Sequence, residues 1–252
     1  MLHFDDIVFG PIFSRRLGSS LGVNLLPSKG KLCNFDCIYC ECGWNKDGRC
    51  DNVFPEYVDV EAALEEKMSK ASRDGVPVDS ITFSGNGEPT MHPQFPEIID
   101  MTLRMRNRYF PDAKVSVLSN ATMIGRPAVA QALMRVDNPI LKLDASSDEL
   151  IQKINKPVGH YSIKEIVERL KGFEGKFILQ TMFLKSPEFD TASPEALAEW
   201  MRIVREIHPR EIMVYTIDRE TPDKRLEKYT IEQMTAFVQP LLDEGFKIQI
   251  RG

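Results

Sequence analysis

From about residue 58 onward the chain alternates between two patterns: apolar side chains recurring every three or four positions, and short runs that are almost continuously apolar. The first lays one apolar stripe along a helix, the second suits a strand covered on both faces, and Gly, Pro, Asn and Asp punctuate the joins. Strands are predicted at 21–26 (LGVNLL), 79–84 (DSITFS), 114–119 (KVSVLS), 139–144 (PILKLD), 177–184 (FILQTMFL), 211–217 (EIMVYTI) and 246–250 (FKIQI). Helices fill the intervals. Phe95, Ile98, Ile99, Thr102 and Met105 trace one helical face, and Ile163, Ile166, Val167 and Leu170 trace another. Ser162 with Glu165, and Thr230 with Gln233, have the spacing of capping boxes, and Ser193-Pro194 reads as an N-cap followed by proline at the first helical position.

About six βα units follow one another with no internal repeat, low-complexity tract or linker. They predict a single α/β domain over residues 1–252 whose parallel sheet curls into a partial or complete (β/α) barrel, with an open doubly wound sheet as the alternative. In either arrangement the ligand-handling residues belong at the C-terminal ends of the strands.

Composition adds a substantial core: 42% of the 252 residues are hydrophobic and 27% charged. The chain shows neither an apolar run of membrane-spanning length nor a basic start leading into an apolar stretch, so a cytoplasmic location with no membrane partner is expected. The net charge of -5 does not favour a polyanionic partner, which makes nucleic acid a minority expectation. All five cysteines lie between Cys33 and Cys50, a distribution that suits a metal site better than a disulfide framework.

That cluster of cysteines holds the candidate chemistry. Lys31 and Leu32 lead into Cys33-Asn-Phe-Asp-Cys37-Ile-Tyr39-Cys40, just after the first predicted strand. Three thiolates on so short a loop can share one cluster and leave one iron of a cubane without a protein ligand. A zinc site drawing on Cys37, Cys40, Cys42 and Cys50 is the alternative. At the next strand end stands Ser84-Gly85-Asn86-Gly87-Glu88-Pro89-Thr90, where glycines allow backbone to approach a ligand and a carboxylate can accept bonds from an ammonium group. Later strand ends carry Ser119 and Asn120, Asp144 and Ser146, and Gln180. Asn120, Asp144 and Gln180 need partners because polar groups on buried strands do, whereas Ser146 reads as a turn former or cap. Tyr215-Thr216-Ile217-Asp218-Arg219 marks the sixth strand end, where substrate contact and surface loop are equally open readings. Lys142 and Lys156 have the chemistry to bind a carbonyl or a phosphate but read first as solvated or paired, and His3, His92, His160 and His208 show no ligand spacing.

The C-x3-C-x-aromatic-C motif resembles the signature of the radical S-adenosylmethionine (radical SAM) superfamily, with Tyr39 in the place of the aromatic that packs near the adenine. The Gly85–Glu88 stretch resembles the family's Gly-Gly-Glu motif, which binds the amino group of SAM, although Asn86 separates the glycines. Upstream, Gly10 to Gly18, including Arg15 and Arg16, and Ser20 to Leu25 resemble the subgroup similar to the wyosine-tRNA synthetases. The resemblance implies a 4Fe-4S cluster on Cys33, Cys37 and Cys40, with SAM chelating the open iron. It also implies SAM contacts from Tyr39, Gly85, Gly87, Glu88, Ser119, Asn120, Asp144 and Gln180. The reaction it implies is reductive cleavage of SAM by an electron from a partner such as flavodoxin or ferredoxin, followed by hydrogen abstraction from a substrate. Charge points to a small molecule or protein segment rather than tRNA as that substrate. A glycyl-radical-enzyme activase and a tRNA-modifying enzyme are the neighbouring readings, and a non-catalytic Fe-S or zinc-binding module is the reading from another class. Cys42 and Cys50 are expected to be inert thiols, with hydrogen-atom donation as the alternative. Loops 41–57 and 185–193 are expected to admit or cover the substrate.

Overall fold

The computed structural model describes residues 4–14, 17–47 and 52–252. In chain order the elements are β1 (Val8–Ser14), β2 (Gly18–Val23), α1 (Tyr57–Arg73), β3 (Ser80–Phe83), α2 (Phe95–Tyr109), β4 (Lys114–Ser119), α3 (Pro127–Arg135), β5 (Asn138–Lys142), α4 (Asp148–Ile154), α5 (Ile163–Lys171), β6 (Ile178–Met182), β7 (Leu184–Ser186), β8 (Phe189–Asp190), α6 (Pro194–Ile207), β9 (Glu211–Tyr215), β10 (Glu227–Lys228), α7 (Ile231–Asp243) and β11 (Ile248–Arg251). The apolar runs become one eight-stranded sheet in the order β1-β2-β3-β4-β5-β6-β9-β11. Only β1 pairs antiparallel; every other neighbouring pair is parallel. Since β1 and β11 are the two edges and do not pair, the sheet is a partial (β/α) barrel.

The outer face of the sheet meets the helices as the periodicity requires. Phe95, Ile98, Ile99 and Thr102 of α2 are buried, as are Ile163, Ile166, Val167 and Leu170 of α5. Burying such side chains is worth roughly 1.5–3 kcal/mol each, which is why helices of ordinary propensity stay docked. The inner face carries a different set. Ile140, Ile178 and Met213, joined by Leu17 and Leu118, form a separate apolar cluster. Beside it, hydroxyls link neighbouring strands: Ser20 to Thr82 at 2.8 Å, Thr82 to Ser80 at 3.0 Å and Ser80 to Ser116 at 3.1 Å.

Several expectations need correction. The strand expected at 21–26 starts earlier, at Gly18, and is preceded by β1, which the pattern did not announce because Gly10 and Pro11 read as a turn and Ile12 and Phe13 are exposed on an edge. The run 177–184 divides after Met182, and Leu184–Ser186 leaves the main sheet for a small sheet ordered β10-β7-β8. Ser162 makes no side-chain cap. Instead Asp148 accepts from the Ile163 amide at 2.7 Å, and Glu165 turns to His160 and Arg169. The Thr230–Gln233 capping box is present, and Ser193 caps α6 by accepting from the Ala196 amide. Among the described residues no helix is long and apolar enough to cross a membrane.

Candidate functional site

The cysteine loop leaves the sheet after β2 and is stitched to the rest of the protein on both sides. On one side the Leu32 amide donates to the Asn86 carbonyl at 2.8 Å, and Leu32 pairs with Gly87 in a parallel bridge. On the other, the amides of Asp36 and Ile38 donate to the carbonyls of Asn155 and Ile154, and Val158 donates back to Asn34. The loop is therefore part of the fold, held between the end of β3 and the segment that follows α4.

This docking gives the two glycines a structural reason of their own beside the expected approach of backbone to a ligand. A Cβ on Gly87, whose φ is +148°, would stand 1.8 Å from the Leu32 carbonyl oxygen. One on Gly85, at φ +145°, would stand 2.5 Å from Asn24 Oδ1. Protein already fills both spaces, so the missing side chains admit the cysteine loop and Asn24. Asn86, the apparent interruption of the motif, is fully buried; it accepts from the Phe4 amide and donates to the carbonyls of Phe4 and Pro27. It therefore ties the N-terminal segment to the strand end.

Cys33 and Cys40 are half-buried, Cys37 and Cys42 are buried, and all four are free thiols. Lys31, 1% exposed, reaches beneath them to donate to Asp36 at 3.2 Å and the Gly43 carbonyl at 3.1 Å. Burial opposes its charge, but Cys40, Cys33, Cys37 and Asp36 outweigh that and raise its pKa. A bond with Cys42, aided by Lys31 against the cost of burial, lowers the Cys40 thiol to about 5. The same bond and burial push Cys42 up. Burial also raises Cys33, with Glu88 and Cys37 adding to it, and raises Cys37 against the pull of Lys142. Cys42 has one hydrogen for two acceptors, Cys40 and the Gly85 carbonyl at 3.5 Å, which marks it as a structural thiol.

The donor set fits an iron-sulfur cluster. It is all thiol, with cationic groups beside it to offset the charge of several thiolates, and soft sulfur ligands select such clusters or zinc. A single zinc needs its thiolates within about 2.3 Å of one point. A cubane is bound at separate corners and asks for no such convergence. Cys50, the fourth thiol of the zinc alternative, lies outside the described residues, as do Arg15, Arg16 and His3.

The remaining candidates form two polar groups flanking the loop. Beside Cys33, buried Glu88 accepts from the Asn120 amide at 2.6 Å and from the Thr90 amide and hydroxyl. Burial raises its pKa, and these bonds together with one from Ser119 oppose the rise. Asn120 donates to Asn34 at 2.6 Å and lies 3.7 Å from the Cys33 sulfur, while Ser119 accepts from the Ala121 amide. Beside Cys37, buried Asp144 accepts from the Tyr39 hydroxyl, from Asn155 at 2.7 Å and from the Met182 amide at 3.0 Å. Lys142 donates to the Tyr39 hydroxyl at 2.8 Å. Gln180 is buried on β6 opposite Lys142 in register. Ser146 stands apart, donating to the Ala196 carbonyl, a structural bond as its turn-former reading implies.

Lys31, Asn34 and Asn155 are not singled out as site members by the sequence reading. Lys31 had a signal in its place next to the cysteines. Nothing local marks Asn155, whose role depends on a contact with a loop 118 positions away. Lys142 is paired, as expected of a lysine beside the sheet, but in the interior rather than at the surface.

A cavity of about 340 Å³ opens inside the sheet at these strand ends. Ser20, Thr82, Ser84, Leu118, Met182 and Met213 line it, and Tyr39 joins it to the cysteine loop. Tyr215 to Arg219 line it too, which favours the substrate-rim reading of that stretch. An ion pair of 2.6 Å between Arg219 and Glu41 spans from this rim to the cysteine loop.

The family model of the radical SAM superfamily matches residues 28–190. A UPF0026 protein of Helicobacter pylori is 31% identical over 222 residues, covering 86% of this chain and 68% of that protein. Among solved structures, a radical SAM methyltransferase from Sphaerobacter thermophilus superposes with a TM-score of 0.69 at 16% identity, covering 95% of this chain and 67% of that one. Streptococcus suis SuiB bound to S-adenosylmethionine gives 0.64 at 16% identity over 88% of this chain, which spans only 49% of SuiB. Archaeal TYW1 gives 0.50 at 13% identity, covering 90% and 72%. At these identities the likeness to solved structures is one of fold.

Proposed function

Since this chain belongs to the radical SAM superfamily, and within it to the UPF0026 proteins, we propose that it is an enzyme that holds a 4Fe-4S cluster through Cys33, Cys37 and Cys40 and takes hydrogen from a small molecule or protein segment. The observation that carries this reading is the docking of the cysteine loop between the end of β3 and the segment after α4, which sets three thiols between two buried polar groups, with Tyr39 of the same loop lining the cavity. Cluster and SAM, when bound, supply the reductive cleavage of SAM, with a flavodoxin or ferredoxin as the proposed electron source.

The protein's share is to bind, orient and exclude water. Glu88 is assigned to the ammonium group of SAM. Its carboxylate already accepts from Asn120, Thr90 and Ser119, so an ammonium group would share or displace one of these bonds, with the opposite charge favouring the exchange. Ser119, Asn120, Asp144 and Gln180 are assigned to the polar groups of SAM, and Tyr39 to its adenine. Gly85 and Gly87 serve through their backbones. Lys142 holds the Tyr39 hydroxyl, and that hydroxyl donates to Asp144, so the aromatic ring is fixed before anything binds. The cavity lies at the lower end of the volumes that take organic ligands, roughly 300–1,000 Å³, which supports a small molecule or an inserted side chain.

Anaerobically reconstituted protein given a strong reductant and SAM should slowly release 5'-deoxyadenosine and methionine; persistence of intact SAM would refute the proposal. Glu88→Gln should retain its iron and bind SAM about tenfold more weakly, the loss of one charge-assisted bond. Unchanged affinity in equilibrium dialysis would remove Glu88 from that role.

The rival substrate is tRNA, and salt separates the two. A protein that neutralises several phosphates loses affinity steeply as salt rises, through counterion release. Total tRNA is expected to bind weakly at physiological salt and no more tightly than an arbitrary RNA. Tight, salt-steep binding of one tRNA, with SAM cleavage stimulated by it, would transfer the enzyme to the tRNA-modifying side of the superfamily.

A further inference from the structure

We infer that Asn155 sets the reduction potential of the cluster by donating an N–H···S bond to the Cys37 thiolate, an inference that rests on the cluster assignment above. Asn155 follows α4 and is completely buried. Its backbone is held on both sides, the amide donating to the Ile151 carbonyl and the carbonyl accepting from the Asp36 amide, each at 2.8 Å. The side chain therefore projects from a fixed point toward the cysteine loop.

Its Nδ2 lies 3.3 Å from Cys37 Sγ, 2.7 Å from Asp144 Oδ2 and 3.3 Å from the Tyr39 hydroxyl oxygen. The chemistry of these neighbours fixes the orientation of the amide. Turned by half a rotation, it would press its oxygen against a carboxylate and a sulfur that has only lone pairs once it is a metal ligand. Two hydrogens then face three neighbours. Tyr39 donates its own hydrogen to Asp144 and accepts one from Lys142, so the amide hydrogens go to Asp144 and Cys37. The consequence is an oxygen, Asn155 Oδ1, that is buried with no hydrogen-bond partner among the described residues. A fold seldom leaves such an atom unless the other end of the group is needed where it is.

Hydrogen bonds to the sulfurs are among the levers that set cluster potentials, because each N–H favours the reduced, more negative state. Other donors near the cysteine sulfurs differ in kind. Phe35 donates its amide to Cys33 within the loop's own turn, and Asn120 donates to Cys33 at a longer 3.7 Å while also donating to Asn34 at 2.6 Å. Asn155 approaches Cys37 from another element, at closer range and locked by Asp144. It is a positioning and tuning residue rather than a catalytic one.

The test is a redox titration of the reconstituted cluster without SAM, read from the electron paramagnetic resonance signal of its reduced form, with iron content measured alongside. Asn155→Leu removes the donor while keeping the same branched arrangement of side-chain heavy atoms, and Asn155→Asp keeps the shape while replacing the donor by an acceptor. Both should keep the wild-type iron content. The leucine variant should shift the one-electron equilibrium about tenfold, equivalent to about 59 mV in the negative direction, and the aspartate variant at least as far. Full iron with an unmoved potential would overturn the inference. Loss of the cluster from both variants would overturn it as well, since Asn155 would then build the site rather than tune it. Wild-type protein that takes up no iron-sulfur cluster would instead fail the assignment on which the inference rests.

Discussion

Gly87→Ala is expected to destabilise the apoprotein by about 3–5 kcal/mol and to leave it unable to retain a cluster. Two costs add: a non-glycine residue in this region of positive φ costs roughly 1–3 kcal/mol, and forcing an atom into a filled space costs about as much again. The added Cβ would meet the Leu32 carbonyl oxygen at 1.8 Å and the Cys33 amide nitrogen at 3.3 Å. Backbone cannot swing aside as the end of a flexible side chain can, so relief comes only by moving the segment that leads into Cys33. Gly75→Ala is the control. Gly75 also has a positive φ, +67°, but nothing lies within 4 Å of its added Cβ, so about 1 kcal/mol is expected and the cluster should be kept. Denaturant unfolding of the apoproteins and iron content after reconstitution measure both effects. A Gly87→Ala protein as stable as the Gly75→Ala protein, with full iron, would show that the cysteine loop does not rest on this strand end.

The second large effect is chemical. Alanine at Cys33, Cys37 and Cys40 together is expected to bring iron and sulfide to background and SAM cleavage below detection, while Cys42→Ala keeps both. The difference follows from what each sulfur faces. Cys42 is held by the Gly85 carbonyl and Cys40, within the fold. The other three lie between Lys31 below and the Glu88 and Asp144 groups on either side. Undiminished iron and sulfide in the triple variant would sink the cluster assignment. Loss of iron in Cys42→Ala would show that the ligand set had been misread.

Much of this was legible in one dimension because it depends on neighbours along the chain. Helix and strand periods are local, and they located the faces of α2 and α5 and the parallel strands from β3 onward. The spacing of Cys33, Cys37 and Cys40 limits how far apart three thiols can be, whatever surrounds them. Local signals failed where a tertiary contact won. The capping spacing at Ser162 lost to an acceptor, Asp148, supplied by α4, and β1 took strand form despite Gly10 and Pro11 because β2 offered it a partner.

By itself, then, the sequence determined the alternation of strands and helices, the order of the motifs and the kind of ligand the cysteine loop can offer. Tertiary structure decided what the polar and glycine positions do. Gly85 and Gly87 make room for Asn24 and Leu32, partners 61 and 55 positions away along the chain, and Asn155 meets Cys37 across 118. The physical reason is the same for each. The worth of a missing side chain depends on what fills its place, and the worth of a buried amide, ammonium or carboxylate depends on which charges and dipoles replace water around it. Those neighbours exist only once the sheet has curled and brought the cysteine loop against its strand ends.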